Sequence, residues 1–238
     1  MKACHTRLLL FGCLVILVLG RLQAQSVPLV KDGVAQCSVV TIEDDQFVEN
    51  PDFNWAPKNK LLQWAAEDLT HYLGAITGAK VTSGPQPIAG LLPIYLGCPP
   101  APVKFSRTTP YGDGYLVDIS AERIILQGES RRAVYYAAAQ MLDDLGVRWY
   151  APGDLGEVVP QRTSLALTSG RREFLPDFLT RRLWSRPPDE TRWMYRNRLG
   201  EPTIPAGHSV HAFAAKLPGW RTEAVREGRA KFPDLYII

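Results

Sequence analysis

Side chains able to do chemistry fall in four places along this 238-residue chain. Asp143 and Asp144 are adjacent carboxylates, but successive helix residues point ~100° apart, so they cannot flank one bond as a paired acid and base must. A solvated helix end is expected there. His208 and His211 are three apart and would share a helix face, yet no Cys, Asp or Glu stands close enough to complete a coordination set. No metal and no cofactor is expected. Gly112 and Gly114 form a fragment of a dinucleotide fingerprint, with no strand immediately before and no helix immediately after, and read as turn glycines. The fourth place is residues 171–198, where arginines such as Arg172, Arg181, Arg182 and Arg196 interleave with Trp184, Trp193 and Tyr195. A guanidinium fork can grip a carboxylate or phosphate, and a ring can stack on a sugar. Both can also simply pair with Glu173, Asp177, Asp189 and Glu190 in an interface, the expectation for most of them. Trp149 and Tyr150 are expected to pack a domain junction, with a sugar platform as the alternative.

The elements that would position these groups come after a leader. Lys2 and Arg7 precede a run at residues 8–19 that is apolar apart from Gly12, and ~12 residues are too few to span a bilayer. Residues 1–24 read as a cleavable signal peptide, so a secreted or periplasmic protein with no stable membrane anchor is expected. The formal net charge of +3 is carried by Lys2, Arg7 and Arg21, and the remainder is neutral, which gives no reason for a nucleic-acid partner. Cys37 and Cys98 outlast the leader. One disulfide or two thiols both remain open.

Residues 27–30 and 35–42 alternate as strands around a turn at Lys31, Asp32 and Gly33. Helical spacing runs from Asn59 to Ile76 and closes at Gly78. Short strands come next at 92–97, 114–119 and 123–127. Ser130 is a fitting N-cap for a second helix that ends by Gly146, and 156–159 with 164–167 read as a final strand pair. This order is an α+β fold, a two-layer sandwich with two helices on one face of a mixed sheet. Gly170 is the expected boundary, giving domains at 25–170 and 171–238.

From Gly114 to Pro160 the segments Gly-Tyr-Leu-Val-Asp, Arg-Ile-Ile-Leu-Gln-Gly, Arg-Arg-Ala-Val-Tyr-Tyr-Ala and Leu-Gly-Val-Arg-Trp-Tyr-Ala-Pro-Gly resemble the small N-terminal domain of family 20 hexosaminidases and family 67 α-glucuronidases. They are most similar to a family of exported bacterial proteins of unknown function built on that plan. The resemblance implies an accessory domain that does no chemistry, in front of a (β/α)8 barrel. Leu-Pro-Asp-Phe-Leu-Thr-Arg-Arg-Leu-Trp at 175–184 is similar to the first barrel strand of the family 20 enzymes, where an Arg enters the sugar pocket. By position this is Arg181, with Arg182 its rival, since a one-residue slip reverses the face. Trp184 and His208 join them as sugar-binding expectations. Only 68 residues come after Gly170, whereas a barrel needs ~250, so 171–238 reads as the start of an incomplete barrel whose catalytic carboxylates come from later strands. The expected function is the N-terminal portion of an exported glycoside hydrolase that meets a glycan, with the rest of the barrel as its partner in cis. The alternative is a non-catalytic carbohydrate-binding or purely structural domain.

Overall fold

A computed structural model describes residues 25–43, 47, 60–109, 112–178, 181 and 190–200. Strands β1 (Ser26–Lys31) and β2 (Val34–Ala35) form the expected hairpin, with Lys31 opposite Val34. Asp32 (φ 49°) and Gly33 (φ 76°) both lie in the left-handed region, the turn whose twist matches that of its flanking strands. The run expected as one strand from Ala35 to Ile42 is broken at Gln36. Its N–H donates to the Leu29 carbonyl (2.8 Å) while its own carbonyl accepts from Leu92 N–H (2.8 Å), so the chain leaves one sheet and enters another. Alternation of apolar residues survives that switch and hides it.

Beyond the switch lie β3 (Cys37–Ile42), α1 (Leu61–Thr77), β4 (Ser83–Gly84), β5 (Leu92–Gly97), β6 (Tyr115–Ile119) and β7 (Ile124–Gly128). Then come α2 (Arg131–Asp144), β8 (Arg148–Trp149), β9 (Glu157–Val158), β10 (Leu165–Thr168), β11 (Gly170–Phe174) and α3 (Glu190–Arg196). The main sheet has the order β11-β6-β7-β5-β3-β4, with β6 antiparallel to both neighbours and the other described pairs parallel. A mixed α+β fold is therefore present. Helices α1 and α2 pack against each other and against this sheet. Gly78 (φ 74°) ends α1 by donating its N–H to the Gly74 carbonyl (2.7 Å). Ser130 caps α2, accepting from Ala133 N–H (3.2 Å). Helix α2 is buried round its whole girth, Arg132, Tyr135, Tyr136 and Met141 included, because α3 packs against it as well.

Two expectations are corrected. Residues 156–159 and 164–167 do not pair: β9 pairs with β8, and β10 pairs with β1 in a separate sheet of order β10-β1-β2. The link between them is held on the end of α1, where the Ile76 carbonyl accepts from Arg162 N–H (2.8 Å) and the Ala75 carbonyl from Gln161 Nε2 (3.1 Å). It is not free to close a hairpin. Gly170 is also not a break in the fold. It opens β11, the edge strand of the main sheet, and the compact unit runs on to Gly200. Cys37 and Cys98 are not bonded to one another, and burial pushes the Cys37 thiol up to about 12.

Candidate functional site

Among the described residues, the arginines after Gly170 pair within the fold, with partners other than those expected. Helix α1 places Asp68 on the stripe of Leu61, Ala65 and Tyr72, where it is buried. Its carboxylate accepts from Arg196 Nε and Nη2 (2.9 Å each), pairs with Arg192 Nη2 (2.7 Å) and accepts the Tyr135 hydroxyl. Glu157 accepts from Arg196 Nη1 and from the Tyr72 hydroxyl (2.7 Å each), and Trp149 Nε1 donates to that hydroxyl (2.9 Å). Burial works against charge on Arg196, yet the hydrogen bonds and charge of Asp68 outweigh it and push the guanidinium pKa up. Burial and the neighbouring Asp68 hold Tyr135 protonated, so it stays a donor. Arg172 pairs with Asp144, and Asp143 faces Arg148 (2.9 Å), so the adjacent carboxylates are salt-bridged rather than merely solvated.

Trp149 is buried, and its carbonyl accepts from Trp193 Nε1 (2.9 Å) and Asn197 Nδ2 (3.1 Å), so it packs α3 within the unit rather than joining two domains. It is not available as a sugar platform. Tyr150, one residue on, is 74% exposed.

A second hub positions Arg181. At the end of β7, Glu129 accepts from Thr109 N–H (2.8 Å), the Thr109 hydroxyl and Gly114 N–H (2.8 Å). A Cβ on Gly114 would sit 2.7 Å from that carboxylate and displace it from the N–H groups it accepts from. The Thr109 hydroxyl accepts from Asp113 N–H (2.8 Å), and the capping Ser130 hydroxyl donates to the Gly112 carbonyl (2.7 Å). These bonds fix the turn that carries Asp113, a buried carboxylate holding Arg132 on one oxygen and Arg181 Nη2 on the other (2.6 Å). Arg181 also donates from Nη1 to the Phe178 carbonyl (2.7 Å) and from Nε to the Arg198 carbonyl (3.2 Å). Its backbone exchanges two hydrogen bonds with Gly200.

Beside Arg181 opens a cleft of about 380 Å³, walled by Tyr115, Phe174, Pro176, Asn197 and Arg198 among others. Tyr115 and Phe174 stack at 4.8 Å, and burial pushes the Tyr115 hydroxyl up to about 12, so it serves as a neutral donor. The cleft has donor groups in plenty. Its carboxylate, Asp177, stands exposed at the rim opposite Arg107 (3.4 Å). Such a site can hold hydroxyls or an anionic group against an aromatic wall, and among the described residues it has no acid and base paired across a bond.

Of the residues expected at a sugar site, Arg181 lines the cleft, while Arg182, Trp184 and His208 lie outside the described residues. Asp113, Glu129 and Arg198 were not foreseen. A signal for Asp113 did exist, a carboxylate between Gly112 and Gly114, and for Asp68 a carboxylate on an apolar helical stripe.

No family model and no curated protein matches the chain. Among solved structures it is similar to the GH20 β-N-acetylhexosaminidase of Streptomyces coelicolor, at 14% identity and a TM-score of 0.41 over 67% of this chain and 26% of that one. It is similar also to the β-hexosaminidase of Streptomyces plicatus in complex with its product GlcNAc (11% identity, TM-score 0.40, 66% and 25% of the two chains). A third is the GH20 exo β-N-acetylglucosaminidase of Vibrio harveyi in complex with N-acetylglucosamine (14%, 0.35, 67% and 18%). The chain spans about a quarter or less of the length of these proteins.

Proposed function

We propose that this chain is the N-terminal portion of an exported carbohydrate-active protein of glycoside hydrolase type, and that the cleft beside Arg181 is where it meets a sugar. The proposal includes a leader at residues 1–24 and a barrel downstream of the accessory domain. One observation carries the sugar-binding part. A guanidinium has five N–H groups; Asp113, Phe178 and Arg198 take three of those on Arg181, and among the described residues the other two have no acceptor, beside an aromatic wall. Vicinal hydroxyls or a carboxylate match that fork. Saturation-transfer NMR of the full chain with mono- and oligosaccharides tests it. Sugar signals that vanish in Arg181→Ala are expected, and silence across neutral and acidic sugars refutes the reading.

A purely structural role is favoured by a different observation, the Asp68 hub that ties α3 to the rest of the unit. In that reading the domain stabilises the barrel downstream of it, and Arg181→Ala lowers stability alone.

A further inference from the structure

A separate cavity of about 320 Å³ opens where the carboxyl ends of β3, β5 and β7 converge, three neighbouring strands that run parallel. Each strand end contributes to it. Phe47 follows β3, Gly97 and Cys98 close β5, Gly128 and Glu129 close β7, and the loop between β5 and β6 adds Phe105. Open parallel sheets bind small molecules outside such carboxyl ends. Glu129 is the only charged side chain among the described residues that line the space. Its carboxylate is held by neutral donors, the Thr109 N–H and hydroxyl and the Gly114 N–H, and among the described residues no cation pairs with it. Arg131, two residues on, lies over the Phe47 ring at 5.1 Å but is answered by Glu43 (2.8 Å). The N-terminus of α2 beside Glu129 supplies only about half a positive charge. A net negative charge is left on the wall of an otherwise uncharged, aromatic cavity.

We infer that this cavity binds a small organic cation, a primary ammonium carried on an apolar body of about one ring. The site is distinct from the cleft beside Arg181, and the inference does not rest on the reading of that cleft. An ammonium donates a charge-assisted hydrogen bond to Glu129, and the rings of Phe47 and Phe105 attract both its charge and its apolar body. An anion would meet the carboxylate with no lining cation to receive it. A neutral hydroxyl would satisfy a lone pair and leave the charge of Glu129 unanswered. The volume lies at the lower end of the range of small-molecule sites, about 300–1,000 Å³, which limits the ligand to a single ring. Thr109 and Gly114 hold the carboxylate in place before a ligand arrives, so little ordering opposes binding.

The test is calorimetric titration of the full chain with benzylammonium, benzyl alcohol, benzoate and benzyltrimethylammonium. Benzylammonium is expected to bind about tenfold tighter than benzyl alcohol, and benzoate not at all. Benzyltrimethylammonium keeps the charge but cannot donate, and should fall between the first two. Cys98 lines the same cavity, so saturating benzylammonium should slow its alkylation by iodoacetamide about fivefold or more, read on the Cys98 peptide by mass spectrometry. Glu129→Gln should abolish the preference for ammonium over alcohol. Phe105→Ala removes one wall and leaves the hydrogen bonds of Glu129 in place; it should weaken benzylammonium about tenfold, and it decides the matter together with Cys98 protection if Glu129→Gln does not fold. Equal affinity for benzylammonium and benzyl alcohol, an unchanged alkylation rate at Cys98, or full affinity in Phe105→Ala overturns the assignment. Benzyltrimethylammonium binding as tightly as benzylammonium overturns the primary ammonium, and a chain that binds none of the four has no such site.

Discussion

Asp68→Ala is the most informative perturbation of stability. The carboxylate is 3% exposed and gathers two bonds from Arg196, one contact from Arg192 and the Tyr135 hydroxyl. Its removal leaves Arg196 largely buried with only Glu157 to answer it, and Tyr135 with a buried hydroxyl stripped of its acceptor. Breaking a buried pair from one side costs about 3–5 kcal/mol, since the remaining charge keeps its desolvation penalty. For a unit of this size each kcal/mol moves the thermal midpoint by about 2–4 °C, so a fall of about 6–20 °C is expected. Urea unfolding of a chain beginning at Gln25, monitored by circular dichroism, measures it directly. Pairing Asp68→Leu with Arg196→Met should recover much of the loss, because removing both charges removes the penalty as well. A loss below about 1 kcal/mol for Asp68→Ala would show that water reaches the site and that the hub does not fasten α3.

Gly128→Ala would drive a Cβ into Val134 N and the Ala133 carbonyl carbon, backbone that cannot yield, and should cost several kcal/mol by overpacking, read as a collapse in soluble yield or thermal midpoint. In a chain beginning at Gln25, Cys98→Ser should leave the one remaining thiol, Cys37, inert to Ellman's reagent until denaturant is added, since burial holds it protonated up to about 12. Limited trypsin digestion should leave a core that ends near Gly200, with the bonds after Arg171 and Arg172 protected in β11; a stable core ending at Gly170 would contradict the strand pairing. Hydrogen bonds from the Ser106 hydroxyl and N–H hold the Glu173 carboxyl below its ordinary value, so its small contribution to stability is present above the unfolded carboxylate pKa and is lost as pH falls through the lower folded one. Glu173→Gln should flatten that part of the acid limb in pH-dependent denaturation.

The features legible in the sequence are those that depend on neighbours along the chain. Ser130 and Gly78 announced helix ends because capping is local, and the spacing of Leu69, Leu73 and Ile76 announced a buried helix face. The break at Gln36 and the partner of β10 were not legible, since both depend on a residue more than 50 positions away that accepts or donates one hydrogen bond. The same holds for the site. Arg181 was picked out by resemblance, but the carboxylate that orients it, Asp113, lies 68 residues earlier. Arg198 was one of several arginines in that stretch, and with no glycine or asparagine at its own position nothing announced that it would hold the left-handed position that ends α3.

The pairing of β1 with β10 sets a timetable for synthesis. The apolar strand at Ser26–Lys31 leaves the ribosome early, yet its long-lived partner at Leu165–Thr168 is made more than 130 residues later. At about 5–20 residues per second that is a wait of about 7–27 s with one edge of β1 unpaired. During it Val27, Leu29 and Val30 are exposed as a strand edge open to any other chain. The first strand of the domain is thus among the last to be secured, and through that interval its open edge is the chain's chief exposure to mispairing.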